Sequence, residues 1–151
     1  MSKAETERIL IAGGGIGGLA LALALAKAGR PSLVLEARPE FSIAGAGIQL
    51  GPNGTRILQQ LGVAENLAPL AGVPEAIHVY RGTRGTQMAR LPLGNWIARR
   101  HGAPYWVAHR ADLHAALLEA ARKNDLIEIE MGFSAVSVAE AGDAVTLRSE
   151  T

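Results

Sequence analysis

Three glycines near the start of the chain have a spacing suited to binding phosphate. Gly13, Gly15 and Gly18 form a G-x-G-x-x-G pattern directly after the short apolar run of residues 9–12. In this pattern the first glycine permits a sharp turn, the second lets a pyrophosphate approach the backbone, and the third lets a helix pack closely on a sheet. The N-terminus of that helix offers unpaired N–H groups and a partial positive charge to the phosphates. The pattern therefore predicts a dinucleotide site.

An acidic residue follows at the distance that such a site requires. A second apolar run, residues 32–35, ends at Glu36, which lies 18 positions after Gly18. A carboxylate at this point can accept hydrogen bonds from both hydroxyls of a ribose. Arg38 follows two residues later and is placed to cover the adenosine end of the ligand. The simpler alternatives are a surface acid at a strand end and a solvated arginine.

The helix after the glycines has an unusual composition that admits a second interpretation. Residues 9–26 contain no charged side chain, which would also suit a signal peptide or a membrane span. Five glycines interrupt this run, and its helix-forming part, residues 16–28, is too short to cross a bilayer. We therefore interpret it as a helix buried against a parallel sheet.

The elements around these residues predict an α/β fold. Strands over 8–12 and 32–36, joined by the helix, form a βαβ unit with a parallel strand pair. Residues 37–51 are expected to be irregular, and their glycines would allow a second close approach to a ligand. We further predict helices over 52–61, 64–70 and 110–124, a loop over 94–104, and strands over 76–80, 86–91, 126–131, 135–140 and 144–148.

The predicted fold class is a Rossmann-like domain, with a mostly parallel sheet flanked by helices and an antiparallel β-hairpin insertion. The hairpin, within residues 76–93, interrupts the α/β pattern and could begin a second layer on the substrate side. The last strand, at 144–148, is followed by no closing turn. We therefore expect residues 1–151 to be the N-terminal part of a larger domain, and the chain to be a fragment.

Composition excludes several classes of function. The apolar fraction is 48%, the charged fraction 19% and the net charge +1, so nothing indicates a nucleic-acid partner or a membrane surface. The chain has no cysteine, which excludes disulfides and thiolate chemistry, and a cytoplasmic location is the default expectation. The four histidines show no metal-ligand spacing, so we predict no metal site. The oligomeric state is not fixed by the sequence; a homodimer is compatible with it.

Four segments together carry a family resemblance, in matching order and spacing. They read IAGGGIGGLALALALAKAG, VLEAR, GAGIQLGPNGTRILQQLG and HRADLHAALLEAA. The chain resembles the N-terminal portion of the FAD-dependent aromatic hydroxylases, single-component flavoprotein monooxygenases of the salicylate and hydroxybenzoate hydroxylase type. The resemblance runs from Arg8 to about Leu147. We expect the substrate domain and the C-terminal part of such an enzyme to lie outside this sequence.

The resemblance implies which residues hold FAD. The glycine pattern would bind the pyrophosphate, Glu36 the adenosine ribose, and Arg38 the cofactor nearby. Residues 45–49 would run beside the flavin, and the backbone around Val136 would meet the adenine. Arg110, in the pattern R-x-x-L-x-x-x-L, would contact the phosphate and ribitol region. The predicted cofactor-binding residues are Gly13, Gly15, Ile16, Gly17, Gly18, Glu36, Ala37, Arg38, Gly47, Ile48, Gln49, Arg110 and Val136.

The position of Arg110 in its predicted helix is a separate reason to expect a partner for its charge. It precedes Leu113 and Leu117 by three and seven positions, which places it on their side of the helix. A charge on that face needs a partner, either a phosphate or a structural salt bridge.

The function implied by the resemblance is hydroxylation of a small aromatic acid with NAD(P)H and dioxygen. The cofactor carries the redox chemistry in such enzymes, so we predict no catalytic side chain in these residues. Two alternatives remain open from the residues alone. One is another FAD- or NAD-dependent oxidoreductase with the same N-terminal unit, and the other is a non-catalytic nucleotide-binding fragment.

Overall fold

A computed structural model of the chain describes residues 8–41, 45–142 and 144–149. Its strands are β1 (Ile9–Ala12), β2 (Ser32–Glu36), β3 (Gly47–Leu50), β4 (Ala76–Tyr80), β5 (Gln87–Pro92), β6 (Trp106–His109), β7 (Ile127–Met131), β8 (Ala135–Ala141) and β9 (Ala144–Ser149). Its helices are α1 (Ile16–Lys27), α2 (Pro52–Gln60), α3 (Ala64–Leu67), α4 (Gly94–His101) and α5 (Arg110–Arg122), and a 3₁₀ turn spans Ala68–Leu70. The chain divides into two compact units, Met1–Ile43 with His114–Thr151, and Ala44–Leu113.

The first unit contains a parallel sheet with the strand order β1-β2-β7 in the described part of the chain. Leu10 pairs with Leu33, and Leu33 in turn pairs with Glu128. Ser32, Val34 and Leu35 are buried, as expected for the middle strand of a sheet covered by other elements. The predicted parallel βαβ arrangement is therefore confirmed.

Helix α1 packs on this sheet through one apolar face. Its buried residues are Leu19, Ala22, Leu23 and Ala26, whereas Leu21 is 49% exposed. Burial against the sheet, as predicted, thus explains the apolar face of α1 but not the absence of charge on its exposed side. Within the described residues, no helix has the length and apolar character needed to cross a membrane.

Helix α5 and the hairpin β8–β9 complete the described elements of the chain's second half. Leu113, Ala116, Leu117 and Ala121 are buried along α5, which confirms the predicted apolar stripe. Strands β8 and β9 pair antiparallel, with Val138 opposite Leu147. The prediction of strands near 135–140 and 144–148 is confirmed, and they form a sheet separate from the parallel one.

The second unit contains the predicted hairpin. Strands β4 and β5 pair antiparallel, with Ile77 opposite Leu91. Helix α2 begins with Pro52 in its first turn, and Leu58 is buried. The predicted helix over 64–70 is present as α3 followed by the 3₁₀ turn.

Two predictions in this unit were wrong. Residues 94–101, predicted as part of a loop, form α4, which ends at Gly102 in a left-handed conformation with φ +71°. This helix has eight residues, and its only buried one is Gly94, so it shows no apolar period. Arg99, Arg100 and His101 in its last turn suit the negative end of the helix dipole. The predicted irregular segment 37–51 contains strand β3, which pairs with β6, a strand that was not predicted. Residues 42–44 of that segment lie outside the described residues.

Candidate functional site

The glycine-rich turn has the geometry that its spacing predicts. Gly13 follows β1 with φ +105°, a conformation that favours glycine, and its N–H donates to the Leu35 carbonyl at 2.7 Å. A Cβ on Gly18 would lie 1.9 Å from the Gly13 carbonyl oxygen and 3.3 Å from Ile11 Cγ2. Because no side chain fits there, α1 can approach the first strand this closely only with glycine. The sharp turn and the close helix packing are both confirmed.

The outer side of the same turn is open with respect to the described residues. A Cβ on Gly15 or on Gly17 would meet none of their atoms within 4 Å. Gly15 is the N-cap of α1, no side chain of the described residues caps this helix end, and the first turn carries no acid. The first N–H groups of an α-helix have no intrahelical acceptor, and the helix dipole is positive at this end. An open approach, N–H donors and positive potential fit the pyrophosphate of a dinucleotide; Ile16 supplies one of these first-turn N–H groups.

Glu36 is already tied to the backbone through both carboxylate oxygens. Oε2 accepts the Gly14 N–H at 2.8 Å, and Oε1 accepts the Arg38 N–H at 3.1 Å. A carboxylate has about four acceptor positions, so each oxygen can still accept a ribose hydroxyl. Ala37 and Arg38 are exposed beside it. The Arg38 side chain makes no ion pair with the described residues.

The chain after β7 turns back onto the Glu36 segment. The Gly132 N–H donates to the Arg38 carbonyl at 3.0 Å, and the Phe133 N–H donates to the Glu36 carbonyl at 2.9 Å. Strand β8 starts two residues later and carries Val136, which is 50% exposed. The first unit therefore holds the glycine turn, Glu36 and the β7–β8 connection that leads to Val136.

Strand pairing in the second unit brings together four other predicted residues. Gly47, Ile48 and Gln49 lie on β3, and Gly47 pairs with His109, the residue before Arg110. The Arg110 N–H donates to the Ala46 carbonyl at 3.0 Å. The antiparallel pair thus places Arg110 at the start of β3, although more than sixty residues separate the two in sequence.

The Arg110 side chain is exposed, whereas Leu113 and Leu117 farther along α5 are buried. It makes no salt bridge or hydrogen bond with the residues that the structure describes. A phosphate and a structural salt bridge were the two predictions for this arginine. The described residues form no such salt bridge with it.

Three residues near these groups were not predicted to belong to the site. His114 Nε2 lies 2.8 Å from the Gly14 carbonyl oxygen, and the Phe41 ring is 4.9 Å from the His114 ring. In the second unit, the Tyr105 hydroxyl donates to Gln49 Oε1 at 2.7 Å. The position of His114, one helical turn after Arg110, was the one sequence signal that could have drawn attention to it.

The described residues include no candidate metal centre, and the two tryptophans differ in exposure. Among residues 8–41, 45–142 and 144–149, no group of three or more potential ligands could hold a metal ion. Trp106 is buried, whereas Trp96 is 43% exposed and lies under the Arg100 guanidinium at 5.7 Å. The first unit therefore offers backbone donors, the Glu36 carboxylate and the exposed Arg38, which suit an anionic nucleotide, and the second unit offers the exposed Arg110.

Residues 6–150 match the sequence model of a family described as "FAD binding domain". Over 139 residues the chain is 39% identical to 3-hydroxybenzoate 6-hydroxylase from Polaromonas naphthalenivorans. This match covers 92% of this chain and 35% of that protein. Over 141 residues it is 42% identical to 3-amino-4-hydroxybenzoate 2-monooxygenase PtmB3 from Streptomyces platensis, covering 93% and 35% respectively. The chain thus spans about a third of the length of these relatives.

Solved structures show the same similarity. The tetrameric form of 2-methyl-3-hydroxypyridine-5-carboxylic acid oxygenase superposes with a TM-score of 0.79 at 28% identity, covering 96% of this chain and 36% of that one. Klebsiella pneumoniae HpxO complexed with FAD and uric acid superposes with a TM-score of 0.80 at 26% identity, covering 94% and 35%. The glycine turn and Glu36 therefore lie in a known kind of fold, and the chain belongs to the FAD-binding domain family that includes the hydroxybenzoate-type flavoprotein monooxygenases.

Proposed function

We propose that the protein to which this chain belongs is an FAD-dependent monooxygenase that hydroxylates a small aromatic acid with NAD(P)H and dioxygen. The observation that carries the proposal is the glycine turn, where an uncapped helix N-terminus opens beside Gly15 next to a backbone-anchored Glu36. FAD supplies the redox chemistry of such a reaction, because it can accept electrons from a nicotinamide and deliver them to oxygen.

Each group of predicted residues has a separate part in this proposal. The pyrophosphate would lie over the turn from Gly13 to Gly18, including Ile16 and Gly17. Glu36 would accept the ribose hydroxyls, with Ala37 and Arg38 beside the adenosine and Val136 near the adenine. In the second unit, Gly47, Ile48 and Gln49 would line the flavin, and Arg110 would pair with the phosphate and ribitol region.

The proposed substrate class rests on the relatives. The names of 3-hydroxybenzoate 6-hydroxylase and 3-amino-4-hydroxybenzoate 2-monooxygenase specify carboxylated aromatic rings that already carry an electron-donating substituent. A third relative, 6-hydroxynicotinate 3-monooxygenase from Pseudomonas fluorescens, is 37% identical over 116 residues. These proteins support a small hydroxylated or aminated aromatic acid as the substrate.

The domain organisation of the protein is also part of what we propose. Residues 1–151 would form the N-terminal part of the FAD-binding domain, and residues 76–93 would begin a layer on the substrate side. Ile77, Val79 and Leu91 on that hairpin are exposed, which supports a further layer covering them. We also propose a cytoplasmic homodimer; the cysteine-free sequence supports the location, and a tetrameric relative supports self-association.

Two measurements on the complete polypeptide test the function. A flavin absorbance spectrum that persists through purification, or that returns after FAD is added, is the expected first result. A colourless protein that binds NAD but takes up no FAD would overturn the cofactor assignment. The second measurement is NADH and NADPH oxidation with a panel of hydroxybenzoates, aminobenzoates and hydroxynicotinates. Stimulation by at least one acid is expected, and no stimulation across the panel would overturn the hydroxylase assignment.

A further inference from the structure

The glycine turn is held from both sides at a single residue, Gly14. Its N–H donates to Glu36 Oε2 at 2.8 Å, and its carbonyl oxygen lies 2.8 Å from His114 Nε2. A carbonyl oxygen can only accept, so Nε2 of His114 carries the proton in this contact. Two distant elements, β2 and α5, therefore fix the two polar groups of one residue in the turn.

The Phe41 ring lies against both His114 and Gly14. Its ring centroid lies 4.9 Å from that of His114, with the two ring planes tilted by 55°. A Cβ on Gly14 would lie 2.7 Å from Phe41 Cε1 and 3.2 Å from Glu36 Cβ. The side chains of Phe41 and Glu36 thus enclose the Gly14 backbone, and the His114 imidazole packs against the Phe41 ring.

The consequence reaches the next residue through the peptide bond. The Gly14 carbonyl and the Gly15 N–H belong to one planar peptide unit and point in opposite directions. A hydrogen bond that fixes the carbonyl therefore fixes the direction of the Gly15 N–H. Among the described residues, that N–H donates to no acceptor, and no atom lies within 4 Å of a Cβ built on Gly15. Donation from His114 also polarises the peptide, which strengthens its N–H as a donor.

We propose that His114 is a positioning residue of the phosphate-binding turn. It holds the Gly14–Gly15 peptide so that the Gly15 N–H is directed at the cofactor phosphate before the cofactor arrives. The imidazole itself touches neither cofactor nor substrate in this proposal. The inference rests on the proposed binding of FAD, but its first consequence, the fixed peptide, exists in the cofactor-free protein.

The unaltered protein provides the first test. Nitrogen NMR of the His114 imidazole in the cofactor-free polypeptide distinguishes a proton on Nε2 from a bare Nε2. We expect a protonated Nε2 and slow hydrogen exchange at that position. A neutral ring with a bare Nε2 would overturn the proposal, because the Gly14 carbonyl cannot donate to it.

Three variants provide the second test. His114→Leu removes the donor, His114→Gln places an amide N–H at a similar reach, and His78→Leu removes an exposed histidine in the other unit as the control. In the cofactor-free protein, we expect His114→Leu to shift the Gly15 amide resonance while the other two leave it near its original position. We expect the dissociation constant for FAD to rise by about 2- to 13-fold in His114→Leu, as for the loss of one neutral hydrogen bond, and to return towards the original value in His114→Gln.

The remaining outcomes separate this inference from the proposed function. Unchanged FAD affinity with an unchanged Gly15 amide in His114→Leu would overturn it. Equal losses in His114→Leu and His114→Gln would also overturn it, since they would assign the effect to ring packing. If the unaltered protein binds no FAD, the proposed function fails, while the Gly15 amide still reports whether His114 holds the peptide. If His114→Leu does not fold, the imidazole measurement decides.

Discussion

Glu36 combines a structural task with the one that its position predicts. Its two carboxylate oxygens accept the N–H groups of Gly14 and Arg38, so the side chain is held in place without a ligand. Hydrogen bonds to an ionised carboxylate are stronger than those between neutral groups. A ribose would therefore meet acceptors that are already oriented, and little side-chain entropy would be lost on binding.

A substitution at Glu36 should therefore affect both the ligand and the turn. Glu36→Gln replaces one oxygen with an NH₂ group, which would face a backbone N–H because both existing partners are donors. We expect the dissociation constant for FAD to rise by about 10- to 100-fold, from the loss of charged hydrogen bonds. Fluorescence titration of the cofactor-free polypeptide measures this value. Glu40→Gln, an exposed acid four residues away, is the matched control and should change affinity less than twofold. Equal affinities in the two variants would contradict the assignment.

Two glycines of the same motif should respond in opposite ways to alanine. A Cβ on Gly18 would lie 1.9 Å from a backbone oxygen, whereas one on Gly17 would meet no atom of the described residues within 4 Å. We expect Gly18→Ala to lower the free energy of unfolding by about 1–3 kcal/mol through overpacking. Gly17→Ala should leave it unchanged or raise it by up to about 1 kcal/mol, because alanine is the better helix former. Urea unfolding without cofactor measures both, and a destabilised Gly17→Ala with a tolerated Gly18→Ala would refute this packing.

At the scale of elements, the amphipathic pattern of α1 does not indicate which side of the helix faces the sheet. Apolar residues surround the helix, yet Leu19 is fully buried and Leu21 is 49% exposed. A sequence pattern without polar positions cannot indicate which side faces the sheet. The orientation follows instead from Gly18, which brings that side of the helix against the first strand.

The two leucines supply a matched pair within one helix. Leu19→Ala should lower the free energy of unfolding by about 3–5 kcal/mol, because it leaves a cavity between α1 and the sheet. Leu21→Ala makes the same chemical change at an exposed position and should cost less than about 1 kcal/mol. Chemical unfolding followed by circular dichroism gives both values. Similar losses for the two variants would show that the helix does not lie on the sheet as described.

The elements that could be predicted from the sequence are those whose signals are local. The β1–α1–β2 unit is marked within one stretch of chain by two apolar runs, a glycine turn, and Gly29, which follows the end of α1 with φ +70°. Strands β3 and β6 are four residues each, and their pairing joins Gly47 to His109, so neither carries a local signal of its partner. Helix α4 was missed because its only buried residue is Gly94.

The candidate site follows the same rule. The turn at Gly13, the close packing at Gly18 and the position of Glu36 at the end of β2 could be predicted from spacing, because the motif encodes its own geometry. The contact of His114 with Gly14 could not, because it depends on how α5 lies against a turn a hundred residues earlier in the chain. The link between Tyr105 and Gln49 depends in the same way on the unpredicted β3–β6 pair.

At the scale of the whole molecule, the two units differ in charge. Residues 44–113 contain seven arginines, no lysine and three acidic residues, which gives a net charge of +4. The rest of the chain contains eight basic and eleven acidic residues, which gives −3. The overall charge of +1 conceals this asymmetry. A surface rich in one sign raises the local concentration of oppositely charged ligands and their rate of association.

This asymmetry predicts a salt-dependent reaction with anionic ligands, provided that the proposed function holds. NAD(P)H and an aromatic carboxylate are both anions, so the basic unit should attract them. Arg84, exposed in the β4–β5 turn, lies outside the predicted cofactor residues. We expect Arg84→Glu to lower kcat/KM for NAD(P)H by about 2- to 5-fold at low ionic strength, with the difference shrinking as salt approaches about 0.15 M.

Arg30→Glu is the control that distinguishes the effect of where a charge lies from the effect of the chain's net charge. Arg30 is exposed between α1 and β2 in the acidic unit, and reversing it changes the net charge of the chain by the same amount as Arg84→Glu. If the basic unit attracts the ligand, Arg30→Glu should lower kcat/KM for NAD(P)H less than Arg84→Glu does. Neither substitution should change kcat. Equal losses in both variants would assign the effect to net charge alone. An effect of Arg84→Glu that persists at high salt would instead indicate direct contact with the ligand, because screening weakens long-range attraction far more than a contact.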